Sequence, residues 1–358
     1  MTGKERITAI LNHQPVDRIG LYEHFWPETF KRWIAEGHFK EDEAQEDVFG
    51  FDIVNAWVFN TIADIDFKPV TLEETAETIL VKDGNGATLR RHKLHSTTPE
   101  HVAYDVIDFA GYREKTRPFI LDTSLDDRRI NYDGYVSQRK IATDRNLFFN
   151  WAGVNVFECM HSLCGHENLL VGMALEPEWV AEMANDYAAL QIRLFEKLFA
   201  RHGLPDGIWI FEDFGFKERP FMSPAMFREL IMPAQAKTIK YCHDLGLKVM
   251  MHSCGFVEPL LPCMVEAGID VLQAMEVKAG MDPLRIRKNF PSLVLFGGLD
   301  VRPLLLNDLD AVRRELEAKV PILKQGGFIL HSDHSIPDTV NYETYRFFID
   351  EGLRLGTF

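Results

Sequence analysis

The segments Gly207-Ile208-Trp209-Ile210-Phe211, Lys248-Val249-Met250-Met251-His252, Val271-Leu272-Gln273-Ala274-Met275, Leu293-Val294-Leu295-Phe296-Gly297 and Gly327-Phe328-Ile329-Leu330-His331 decide the fold. Each is a short, nearly uninterrupted apolar run, often β-branched, which is the pattern of a strand buried on both faces. Helical patterns lie between them. One runs from Pro224 to Leu245, opened by Ser223 as N-cap. Another runs from Asp308 to Lys324, with Asn307 as its cap. Strand–helix alternation of this kind predicts an α/β fold with a parallel sheet. Upstream, Ile19 to His24, Phe51 to Trp57 and Leu147 to Trp151 are three further strand candidates. Together they reach eight, the number that closes a (β/α)8 TIM barrel. Residues 77–94 break the rhythm. Ile79-Leu80-Val81-Lys82, Asp83-Gly84-Asn85-Gly86 and Ala87-Thr88-Leu89-Arg90 read as a β-hairpin inserted in the N-terminal third. The expectation is one barrel domain over residues 1–358. The competing architecture, an open doubly wound sheet, lacks a G-x-G-x-x-G after any strand.

Barrel chemistry collects at the C-terminal ends of the strands, and those ends are polar here. Glu212 and Asp213 follow the first quoted run, and His252, Ser253 and Cys254 close the second. Glu276 follows the third and Gly298-Leu299-Asp300 the fourth. His331, Asp333 and His334 follow the fifth. His252-x-Cys254 offers an imidazole and a thiolate two residues apart at a strand end, a pairing that favours zinc. The bland alternative is a buried Cys beside a hydrogen-bonded His. A third ligand must come from elsewhere, with His334 and His331 the best placed. Glu212 and Asp213, with Glu276, are candidates for acid–base work or substrate orientation, against a reading as capping or ion-paired carboxylates. Glu23, His24 and Trp26 follow the first strand and are candidates for a pocket wall, joined by Phe25 and Trp57. Cys159-x-His161-x2-Cys164-x-His166 matches no structural zinc spacing. It reads as a loop after the third strand that runs into a helix, with His161 or Cys159 free to line the pocket. Cys242 and Cys263 read as core, and His92 and His95 as edge residues of the hairpin.

Composition narrows the function classes. The 358 residues carry 39 basic and 54 acidic side chains, a formal charge of −15, which argues against a nucleic-acid partner. No apolar run is long enough for a membrane helix, and the start of the chain lacks the apolar core of a signal peptide. Five cysteines are sparse and odd in number. They fit a reduced, cytoplasmic setting in which a special Cys is a ligand or nucleophile.

Lys4-Glu5-Arg6…His13…Asp17-Arg18, Gly165-His166-Glu167-Asn168-Leu169-Leu170…Glu176-Pro177-Glu178 and Glu212-Asp213-Phe214-Gly215…Met222-Ser223-Pro224…Met232-Pro233 occur in that order. They are followed by His252-Ser253-Cys254-Gly255, Gly297-Gly298-Leu299-Asp300 and Asp333-His334-Ser335-Ile336-Pro337. Across nearly the whole chain this series resembles the uroporphyrinogen decarboxylase superfamily, and within it the methylcobamide:thiol, corrinoid-dependent methyltransferase-like branch. The resemblance implies a (β/α)8 barrel. The Arg-rich segment with which true uroporphyrinogen decarboxylases grip porphyrinogen carboxylates is replaced here by Leu21-Tyr22-Glu23-His24-Phe25-Trp26-Pro27-Glu28. The corrinoid-dependent branch carries a His-x-Cys…Cys zinc site. His252 and Cys254 match its first two ligands, and His334 falls where the last Cys would be. A His/Cys/His set carries less negative charge and matches a thiol-activating role less well.

The function so implied is zinc-dependent transfer of a methyl group between a small thiol, methoxy or amine compound and a separate corrinoid protein. No cobalamin-binding Asp-x-His-x-x-Gly motif is present in the chain, which fits a methylcobamide carried by a partner. A homodimer is left open. The alternative is a metal-independent decarboxylase acting on a small carboxylate, with Asp213 stabilising a protonated intermediate and His252 as acid or base. A non-catalytic binding module would leave the many polar strand ends without a purpose.

Overall fold

A computed structural model describes residues 1–40, 42–94 and 98–358. Eight strands form one sheet: β1 (Gly20–Leu21), β2 (Ile53–Trp57), β3 (Phe148–Val154), β4 (Gly207–Phe211), β5 (Lys248–Ser253), β6 (Val271–Ala274), β7 (Val294–Gly297) and β8 (Phe328–Leu330). All paired neighbours are parallel, in the order β1-β8-β7-β6-β5-β4-β3-β2. From β2 to β8 each strand therefore lies beside its neighbour in sequence, and β1 pairs with β8. A flat sheet of eight strands would hold its outer strands roughly 33 Å apart. Instead Ile53, Phe148, Trp209, Met250, Val271, Phe296 and Ile329, from seven different strands, pack in one buried cluster. The sheet is therefore strongly curled. Ile7, Ile10 and Leu11 of the N-terminal helix α1 (Gly3–Leu11) join this cluster. Asp52 joins the outer strands: its N–H donates to the Leu21 carbonyl at 2.9 Å and its carboxylate accepts the Leu21 N–H at 2.9 Å. The buried Asp52 is held in turn by Arg6 at 2.6 Å and Arg18 at 2.8 Å.

A second, larger core lies between the sheet and the helices. The helix Pro177–His202 shows why. Trp179, Met183, Tyr187, Leu190, Leu194 and Leu198 recur every three or four residues and are buried. Ser223 caps the following helical stretch, its Oγ accepting the Met226 N–H at 3.2 Å. That stretch is not uniform. It passes through a π-turn at Phe227–Ile231 before continuing as Met232–Asp244. Pro233 has no N–H to return to residue 229, so the ordinary ladder is interrupted there. Farther on, the cap of Leu309–Leu323 is Asp308, which accepts the N–H groups of Asp310 and Ala311. Asn307, expected as the cap, instead exchanges hydrogen bonds with the Asn341 N–H and the Thr339 carbonyl.

The insertion is larger than a hairpin. Thr78–Lys82 and Ala87–His92 pair antiparallel, and Val70–Glu74 and Glu100–Tyr104 flank them in a four-stranded sheet. Val70–Glu74 is exposed throughout, so it carries no alternation for sequence reasoning to detect. His92 ends a central strand, and His95 lies outside the described residues. The segment Cys159–His166, expected as a loop, is instead helical within Val156–Leu175. That helix breaks only at Gly165 (φ 75, ψ 159), where a side chain would run into the Tyr104 ring of the insertion.

Candidate functional site

A cavity of about 420 Å³ opens at the C-terminal ends of the strands. Its lining includes His24, Trp26, Trp57, Phe211, Asp213, His252, Cys254, Gln273, His331, Asp333 and His334. Thr98, between the last two strands of the insertion, also lines it, so the insertion overhangs the opening. A second cavity of about 380 Å³ lies at the opposite end of the sheet, near His13 and Lys324. The Lys324 ammonium there is engaged by the Leu355 and Thr357 carbonyls.

The centre of the upper cavity is built by two adjacent strand ends. β4 and β5 pair with His252 opposite Phe211, which brings Asp213 and Cys254 together just beyond. The Cys254 N–H donates to Asp213 Oδ1 at 2.8 Å. His252 Nε2 lies 3.2 Å from Cys254 Sγ and 3.3 Å from Asp213 Oδ1. Ligand atoms of the three residues all fall within 4.8 Å of one another, and this is the group among the described residues with the spacing of a metal site. Burial pushes the Asp213 carboxyl up, but His252 and the Cys254 N–H outweigh it and hold it at about 2. Burial opposes charge on His252 as well, yet Cys254 and Asp213 raise its pKa well above the usual histidine range. The Cys254 thiol is raised by burial, with His252 opposing.

The sequence-derived candidates divide around this centre. His334 lines the same cavity but is not in the three-residue group. Asp213 is the residue that stands beside His252 and Cys254 instead. The sequence offered no way to choose, because the two residues are 121 positions apart and only the fold says which one meets His252 and Cys254. Glu212 does not line the cavity. It is buried, accepting Gln235 Nε2 at 2.8 Å and the Glu158 N–H at 3.0 Å. Burial raises its carboxyl to about 8. Glu276 also stands outside the lining, accepting the Gly255 N–H at 2.7 Å and so holding the turn after Cys254. Glu23 is buried beneath the wall and accepts the Ser332 and His24 N–H groups; burial raises it to about 8. His161 is not in the lining. It pairs with Glu158 at 2.8 Å and stacks on His166 at 4.2 Å between ring centroids. Glu158 Oε1 accepts the Asp213 N–H at 3.1 Å, so the tie to the site is indirect. Buried Cys242 and Cys263 belong to the outer core.

One site residue, Gln273, escaped sequence reasoning. Gln273 hydrogen-bonds His252 Nδ1 through Oε1, across the paired register of β5 and β6. A lone amide in an apolar strand is the signal that could have found it. Asp333 accepts the Val277 N–H at 2.7 Å and the Val301 N–H at 2.8 Å, and burial raises it to about 6. It ties together the loops after β6 and β7. His331 is fully buried, which lowers its pKa to about 3.

Chemically, the arrangement presents a thiol, an imidazole nitrogen and a carboxylate to one point. The wall is aromatic: Trp57 packs on Phe211 at 4.6 Å, and Phe211 on His252 at 4.7 Å. No lysine or arginine is among the described residues that line the cavity. Among solved structures, the fold is similar to a methyltransferase from Methanosarcina mazei, at 14% identity, with 98% of each chain covered and a TM-score of 0.66. It is also similar to a B12-independent methionine synthase from a Shewanella species, at 11% identity, covering 87% of this chain and 84% of that one with a TM-score of 0.50. Identities this low speak to the fold alone. No curated protein matches the chain. The sequence profile of the uroporphyrinogen decarboxylase (URO-D) family matches residues 156–352, more than half of the chain and every strand end from Asp213 to His334, and the chain belongs to that family.

Proposed function

We propose that this chain, as a single closed (β/α)8 barrel domain, is a metal-dependent methyltransferase that exchanges a methyl group between a small thiol, methoxy or amine compound and a corrinoid on a separate protein. The observation that carries the reading is the convergence of Asp213, His252 and Cys254 at the floor of the cavity. Their donor set fits zinc: a thiolate, a carboxylate and a neutral imidazole together balance a divalent ion. Asp213 in place of His334 restores the second negative charge that a His/Cys/His set lacks, which suits activation of a thiol. When bound, zinc would supply Lewis acidity to a substrate heteroatom and lower the pKa of a bound thiol.

The chain's own residues do the rest. The Cys254 N–H fixes one Asp213 oxygen. Gln273 orients the His252 ring. Trp57 and Phe211 keep an apolar wall beside it that limits water. Among the described residues no basic side chain lines the cavity, which disfavours a polycarboxylate such as a porphyrinogen. A cavity of about 420 Å³ suits a small substrate rather than a corrinoid ring, which supports a carrier that docks over the mouth. We place the protein in the cytoplasm, as monomer or homodimer; among the described residues no helix is long and apolar enough to cross a membrane.

The test is elemental analysis of wild-type, Asp213→Ala and Cys254→Ala protein, followed by methyl-transfer assays with a corrinoid protein. The expected result is about one zinc per chain in the wild type, the stoichiometry of a single site, and loss of metal and transfer in both variants. Wild-type protein without metal that releases CO2 from a small carboxylate would replace this reading with decarboxylation by the Asp213–His252 pair.

A further inference from the structure

We infer that Glu158 is a positioning residue for Asp213: it holds the backbone that turns the Asp213 carboxylate, rather than that of Glu212, into the cavity. The clamp stands on geometry alone, and what the aimed carboxylate is for rests on the proposed metal site.

Glu212 and Asp213 leave β4 side by side, so the peptide planes between them set the direction of each carboxylate. Three consecutive N–H groups fix those planes, each with its own partner. The Glu212 N–H donates to the His252 carbonyl at 3.0 Å. The Asp213 N–H donates to Glu158 Oε1 at 3.1 Å. The Phe214 N–H donates to Ser253 Oγ at 3.0 Å. The first and third partners belong to β5, and strand pairing puts them there. The second comes from the helix Val156–Leu175, and a side chain has to supply it. Asp213 needs this hold because its carboxylate opens on the cavity, where packing does not fix its direction. The Cys254 N–H and His252 then meet one oxygen of a carboxylate already aimed at them.

Glu158 is held in return. It is the third residue of its helix, whose cap residue Asn155 makes no side-chain hydrogen bond to the first turn. The Glu158 N–H, one of the orphan donors of that turn, goes to Glu212 Oε2 at 3.0 Å. Glu212 is fully buried and its other oxygen accepts Gln235 Nε2 at 2.8 Å, which ties it down away from the cavity. Each segment's carboxylate therefore takes the other's N–H. This is the reciprocity of a capping box, spread over two elements instead of one helix. His161 Nε2, one turn along the same helix, lies 2.8 Å from Glu158 Oε1 and steadies that carboxylate. Glu158, Glu212 and His161 stand outside the cavity lining. They act through Asp213, as outer-shell partners of a metal ligand do.

The experiment is hydrogen exchange of the metal-free protein, resolved to single amides, with zinc affinity measured separately by chelator competition. Two substitutions separate reach from charge. Glu158→Asp keeps the charge and suits the first turn of a helix, but withdraws the carboxylate by roughly 1.5 Å, one carbon–carbon bond. Glu158→Gln loses the charge but keeps an acceptor oxygen in place. In Glu158→Asp the Asp213 amide should exchange roughly 10- to 100-fold faster, the range for a hydrogen bond to a charged acceptor, while the Phe214 amide keeps its rate. Zinc affinity should fall roughly 10- to 100-fold in the same variant. Glu158→Ala, which removes the acceptor outright, should match it, and Glu158→Gln should stay near the wild type in both readouts. The inference is overturned by an Asp213 amide unmoved in Glu158→Asp, by a Phe214 amide loosened equally, or by Glu158→Gln as impaired as Glu158→Asp. Zinc affinity that stays at the wild-type value while the Asp213 amide loosens would overturn the positioning role. A wild-type protein with the expected exchange pattern that fails to bind zinc would instead sink the metal reading and leave the clamp intact.

Discussion

Glu23→Gln should change how stability depends on pH, and the sign follows from burial. Glu23 is 2% exposed and its carboxyl is raised to about 8. In the unfolded chain a Glu titrates near 4.3. Between those values the folded protein retains a proton that the unfolded chain has released. The contribution is therefore fully present below the unfolded pKa and declines as pH rises to the folded one. The limiting slope for one group is about 1.4 kcal/mol per pH unit. Across the whole interval the ceiling is roughly 5 kcal/mol. Other groups titrate nearby. His24 and His331 are depressed by burial and act with the opposite sign below the unfolded histidine pKa, while His252 and Glu212 act with the same sign as Glu23. The informative quantity is the difference between wild type and Glu23→Gln, which cancels these backgrounds. A Gln amide has nearly the same shape and does not ionise. Urea unfolding of both proteins at several pH values should show the wild-type advantage shrinking steadily as pH rises, until Glu23 ionises. A difference that stays flat with pH would refute the protonated Glu23.

Removing His334 should leave the metal content near that of the wild type, because it is not in the Asp213–His252–Cys254 group; the effect should appear in KM, and metal loss in His334→Ala by elemental analysis would restore it as a ligand. Asp52→Asn strips a buried carboxylate from Arg6 and Arg18. Because Arg6 keeps Asp17, the cost should lie near the low end for a broken buried pair, about 3 kcal/mol, read by urea unfolding. Gly165→Ala should cost on the order of 3 kcal/mol, since φ 75 with ψ 159 is glycine territory and the new methyl meets Tyr104; unchanged stability would mean that the insertion does not pack there. Trp57→Ala removes the ring that packs against Phe211 and should raise KM by roughly 2- to 10-fold, the range of an aromatic contact, with metal content unchanged.

The sequence by itself determined the strands and the pole. All eight apolar runs became strands of the sheet, because a strand buried on both faces leaves an uninterrupted hydrophobic record that needs no tertiary information. His252 and Cys254 were legible for a similar reason, since two donors at one strand end are adjacent in sequence and in space. What the tertiary structure decided was everything that depends on which distant loops meet. Asp213 joins His252 and Cys254 because β4 and β5 are paired neighbours with Phe211 opposite His252. His334, on the loop after β8, stays outside the group. Glu212 and Asp213 are chain neighbours with opposite fates: one is buried against Gln235 and Glu158, the other faces the cavity. Adjacent side chains leaving a strand diverge, and only packing says which one meets solvent. Gln273 gained its meaning last, from the strand register that sets it opposite His252. That register is a property of how distant strands pair, and residue identities along the chain carry no trace of it.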